Sequence, residues 1–79
     1  MKIPEKIRYQ ASDLIELFGE NIEYLGRYKG QQVFLFILPA DQENGFPVVY
    51  LYDPKADKID MPNGMDALNL LEDVEPDDQ

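Results

Sequence analysis

The sequence predicts an α+β domain of two layers: an N-terminal helix packed on a three- to four-stranded antiparallel meander, a short C-terminal helix, and a disordered acidic tail. Three observations predict it. Apolar residues recur at helical spacing near the N-terminus, strand-like runs separated by turn residues follow, and the last seven residues hold four acids and one aliphatic side chain, Val74. A chain of 79 residues suffices for one such domain, expected over residues 1–72 with the tail over 73–79.

Ile7, Ala11, Leu14, Ile15 and Phe18 form one stripe of a 3.6-residue period, with Pro4 suited to the first turn and Gly19 to the stop. A second reading starts this helix at Ser12 as N-cap, with Asp13 and Glu16 in its first turn, and leaves residues 1–11 irregular. From Asn21 the pattern alternates. Ile22, Tyr24 and Tyr28 fall on one side and Glu23 and Arg27 on the other, a half-exposed strand in which Gly26 marks a bulge or a close approach of the helix. Lys29 and Gly30 supply a tight hairpin turn.

Residues 31–38 are apolar on both faces, with Phe34, Phe36 and Leu38 opposite Val33, Leu35 and Ile37, as a central strand requires. Pro39 and the polar residues 40–45 leave the sheet as a loop. Residues 46–53 return as a third strand, with Phe46, Val48, Tyr50 and Tyr52 opposite Pro47, Val49 and Leu51. After a turn at 53–57, residues 58–61 add a short fourth strand. Asn63 and Gly64 break it, and Met65, Ala67, Leu68 and Leu71 form the C-terminal helix, ending near Glu72.

Charge divides the chain. Residues 1–30 carry five bases and five acids, whereas residues 31–79 carry two bases, Lys55 and Lys58, against eleven acids, so the whole net charge of −9 lies in the second part. Nucleic acids and anionic membranes are bound first through clustered Lys and Arg, so neither is expected as a partner. The longest apolar run, residues 33–38, is too short for a membrane span, and the charged N-terminus does not read as a secretory signal; a cytoplasmic location is expected.

Catalysis is constrained by composition. The chain has no His, Cys, Trp or Thr, and Ser12 is its single serine, so neither a Ser-His-Asp nor a Cys-His arrangement can be built and no enzyme activity is expected. Glycoside chemistry by paired carboxylates needs one acid desolvated beside a cleft, and nothing selects such a pair among acids that fall mostly in turns and the tail. Asp53, Asp57 and Asp60 surround one turn, but their spacing, the missing glycine and the intervening Lys55 and Lys58 do not match a calcium loop, so neither metal nor cofactor is expected.

The expected function is therefore that of a small acidic, non-enzymatic protein-interaction module, an adaptor, regulator or inhibitor that binds a basic protein surface. Its candidate contacts are Tyr24, Tyr28, Tyr50 and Tyr52, which couple apolar area to a polar tip, and the ordered acids Asp57, Asp60 and Asp66. Two alternatives stand beside it: a nucleic-acid mimic with carboxylates in place of phosphates, and a small ligand-binding protein with a tyrosine-lined groove. Two strands apolar on both faces with a single substantial helix as cover also predict self-association. With Phe34, Phe36 and Leu38 under the first helix, the patch that the short C-terminal helix shields only in part would comprise Val33, Leu35, Ile37, Val49 and Leu51, or the two sets exchange roles, and a second copy would pair there.

Overall fold

The computed structural model describes residues 3–42 and 46–76. It has the expected α+β architecture, with helices α1 (Glu5–Gln10) and α2 (Ser12–Phe18), strands β1 (Ile22–Tyr28), β2 (Gln31–Phe36), β3 (Val48–Asp53) and β4 (Lys58–Asp60), and helix α3 (Gly64–Leu71). The strands form an antiparallel meander in the order β1-β2-β3-β4.

The two N-terminal readings each capture part of the result. The helix begins at Glu5, the Pro4 carbonyl accepting from Ile7 and Arg8 N–H, and is interrupted only at Ala11 (φ −95°, ψ 12°). Ala11 still donates to the Ile7 carbonyl and accepts from Ile15 N–H, both at 2.9 Å, so α1 and α2 act as one kinked rod. Ser12 caps nothing with its side chain. Gly19, at φ 88°, closes α2 as expected of a residue without Cβ.

Lys29 and Gly30 adopt φ 50° and 80°, the two positive values that a two-residue type I′ hairpin needs. Within β1 the register slips between Tyr24 and Gly26, leaving Leu25 as the extra residue of a bulge. An extra residue inverts the alternation beyond it. Tyr24 lies opposite Phe34 on one face, while Tyr28, opposite Gln31, moves to the other, which corrects the expectation that Tyr24 and Tyr28 share a side.

One sheet face carries Phe34, Phe36 and Tyr50, buried under Ile7 and Ala11 and flanked by Leu14, Ile15 and Phe18. The other carries Val33, Val49 and Leu51, buried under Ala67 and Leu70 of α3, with Leu71 and Val74 beside them. This narrows the patch expected for self-association. Of the five residues expected to form it, Val33, Val49 and Leu51 are covered by the chain's own α3, Leu35 is half-buried, and only Ile37 is exposed. Asn63 makes that cover possible as the α3 N-cap, its side chain accepting from Asp66 N–H at 3.0 Å.

The disordered tail also needs correction over its described part. Arg27 and Glu75 exchange both backbone hydrogen bonds, at 2.8 and 2.9 Å, so the segment that follows α3 is docked along the outer edge of β1. Gly26 (φ 142°) is what admits it. A Cβ there would overlap the Glu75 carbonyl oxygen and lie 2.9 Å from Pro76 Cα, so the close approach is to this segment and not to the N-terminal helix. Residues 77–79 of the expected tail lie outside the described residues.

Candidate functional site

The β2–β3 ladder ends at the pair Phe36 and Val48. Beyond it, Ile37 N–H donates to the Asn21 carbonyl at 2.7 Å and so follows β1, while Pro47 has no N–H to offer β2. The two strands therefore part, and a groove of about 300 Å³ opens between residues 35–38 and 46–48. Every described side chain lining it is apolar. Such a groove can seat aliphatic or aromatic groups, and among the described residues it has no convergent polar side chains of the kind that orient a small polar ligand.

The groove merges with an exposed apolar corner on the α3 side of the sheet. Ile37 and Phe46 are each 47 % exposed. Phe46, expected in β3 beside Tyr50, instead lies before the strand with its ring against Gly64, where an added Cβ would meet the ring at 2.7 Å. Gly64, Leu68 and Leu71 recur at i, i+4 and i+7 and share a flank of α3, so Phe46 leads onto the exposed Leu68.

Two acids lie beside this corner. Glu23 is exposed and directly opposite Leu35 in the β1–β2 register, and Asp41 lies in the 3₁₀ turn Ala40–Gln42 three residues past Leu38. Neither forms an ion pair with a described residue. The described bases lie elsewhere: Arg27, Lys29, Lys55 and Lys58 cluster toward the opposite end of the strands, around the β1–β2 and β3–β4 turns. Lys6 is paired with Asp57 (3.4 Å) and Arg8 with Glu20 (2.9 Å).

The residues singled out from the sequence are not gathered at this corner. Tyr50 is 1 % exposed and belongs to the core under α1. Tyr24 packs on Phe34 with ring centroids 5.2 Å apart, and Tyr52 lies on the same helix-covered face, while Tyr28 is on the other with Lys29 5.3 Å above its ring. The four tyrosines thus line no common groove. Asp57 is held at the far turn, where the Tyr52 hydroxyl donates to its Oδ1 at 2.6 Å and Lys6 Nζ to its carbonyl at 2.6 Å. That Tyr52 hydrogen bond, aided by Lys6, holds the Asp57 carboxyl below its ordinary value against an opposing desolvation. The same bond, with desolvation and the charges of Asp57 and Asp53, raises the Tyr52 hydroxyl.

Asp60 is exposed on β4, and Asp66 is exposed in the first turn of α3 on the flank away from Leu68. Asp53 accepts from Lys55 and Ala56 N–H, an Asx turn that employs its carboxylate locally. Among the described residues, no group of three His, Cys, Asp or Glu side chains is placed to hold a metal ion, and no helix is long and apolar enough to cross a membrane. Phe46 and Leu68 escaped the sequence reading as site residues because each fits the apolar period of its own element, and only the tertiary contact at Gly64 joins them. This chain matches no protein-family model, no curated protein and no solved structure.

Proposed function

We propose that this chain is a small, non-enzymatic protein-interaction module that receives a basic partner at the corner formed by Leu35, Ile37, Phe46 and Leu68. The observation that carries this reading is the segregation of charge around exposed apolar area. Glu23 and Asp41 border the corner without a described cationic partner, and the described bases stand at the opposite end or in ion pairs of their own. Apolar contacts supply affinity at such a site, and the acids steer a basic surface toward it and reject acidic ones.

The test is affinity capture from the source cell with the full chain and with its Ile37→Asp variant, followed by identification of the bound proteins. A specific, basic partner that is lost from the variant and whose association slows as salt rises supports the reading. Partners that are acidic, or that bind both forms equally, refute it. A second copy of this chain as the captured species would return the corner to self-association.

A further inference from the structure

Resting on that reading, we infer that the partner enters this corner as a basic amphipathic helix, laid beside α3 on the face of the sheet. The first face is covered by two helical segments, α1 and α2, of six and seven residues. Among the described residues the second has α3, eight residues and so about 12 Å long, followed by the packed Val74, over strands whose six residues run about 20 Å. Over the start of β1 and the end of β2, Glu23 and Ile37 are exposed and Leu35 is only half-buried under the described residues. Helices packed side by side stand about 8–10 Å apart, and Leu68 on the α3 flank and Phe46 at its foot would bound a second helix seated at that separation.

A helix fits this place better than an added strand. A strand joins the edge of a sheet through backbone hydrogen bonds, and the outer edge of β1 is already engaged at Arg27 by Glu75. The open area is on a face, and a face is covered by side chains recurring at i, i+3, i+4 and i+7. The flanks of the incoming helix would meet Glu23 and Asp41, which calls for Lys or Arg beside its apolar stripe. This chain's own helices do not match that description: the exposed face of α2 carries Asp13, Glu16 and Leu17, and Lys6 and Arg8 of α1 are already in ion pairs. A second copy is therefore a poor occupant.

The experiment is an NMR titration of the full chain at about 0.15 M salt with two peptides of about 14 residues, both made only of Leu and Lys in equal proportion. One spaces Leu at helical period, and the other alternates Leu and Lys as a strand would. The helical peptide should bind at least about tenfold more tightly and shift the signals of Leu35, Ile37, Phe46 and Leu68. Ile37→Asp should weaken it by about tenfold or more even though the added charge favours a cationic peptide, provided that the variant keeps the melting temperature of the parent. Equal binding of both peptides, with shifts confined to acidic residues, would refute the helical occupant and leave a basic partner standing. Failure of both peptides to bind would overturn the helical occupant and the basic partner together.

Discussion

Replacing Gly26 by Ala tests the docking of the C-terminal segment. The Cβ would sit 2.8 Å from the Glu75 carbonyl carbon and 2.9 Å from Pro76 Cα, and both are backbone atoms that cannot rotate away. The segment must leave. Its departure forfeits the two Arg27–Glu75 hydrogen bonds, about 1–3 kcal/mol together, and the half-buried packing of Val74, about 1 kcal/mol. Holding a residue with Cβ at φ 142° adds about 1 kcal/mol or more. The expected cost is about 3–5 kcal/mol, against a total stability of about 4–12 kcal/mol for a chain of this size. Urea unfolding of four proteins separates the terms: the parent, Gly26→Ala, a chain ending at residue 72, and the combination. In the truncated background Gly26→Ala should cost only the backbone part, about 1 kcal/mol. The same cost in both backgrounds would refute the docking, as would a truncation that leaves stability unchanged.

Three further outcomes are expected. Phe34→Ala removes a fully buried ring from between α1 and Tyr24 and should cost about 3–5 kcal/mol in the same urea assay; an unaltered midpoint would displace Phe34 from the core. Gly64→Ala should change stability by less than about 1 kcal/mol, because the obstructing atoms belong to the Phe46 side chain, which can turn, and because Ala favours the helix; its NMR signature is a shifted Phe46 ring, and a loss comparable to that of Gly26→Ala would contradict this. Asp57 titrates below its ordinary 3.8 in the folded state, so its contribution to stability is present above 3.8 and is lost as pH falls through the lowered value. Tyr52 titrates above 10.0, so its contribution is present below 10.0 and is lost as pH rises through the raised value. Tyr52→Phe should bring the Asp57 carboxyl, followed by NMR titration, back toward 3.8; an unmoved Asp57 would show that Lys6 alone sets it.

Much of the fold was legible because it rests on side-chain period and turn chemistry. The Lys29-Gly30 hairpin, the doubly apolar β2 and β3, and the spacing of Ile7, Ala11 and Leu14 all express local rules. What escaped is tertiary. The docking of residues 74–76 uses backbone hydrogen bonds in a polar stretch, which leaves no hydrophobic pattern, and Gly26 alone signalled a close approach without naming what approaches. The bulge at Leu25 carried Tyr28 to the opposite face, so a tyrosine cluster drawn from strict alternation dissolved. Tyr50 became core because its face is the one under α1, a choice that strand period does not make. The site itself depends on Pro47 failing to pair while Ile37 follows Asn21, a divergence visible only once the register is known.

The most direct test of the central claim places a photo-crosslinking amino acid at position 37 in the full chain, in the source cell, with the same probe at Tyr9 as control, a residue 83 % exposed on the helical layer of the other face. The account predicts that position 37, and not position 9, captures one partner, and that the crosslinked peptide is rich in Lys or Arg with apolar residues at helical spacing. Capture of a second copy of this chain, of an acidic segment, or of the same proteins from both positions would contradict it.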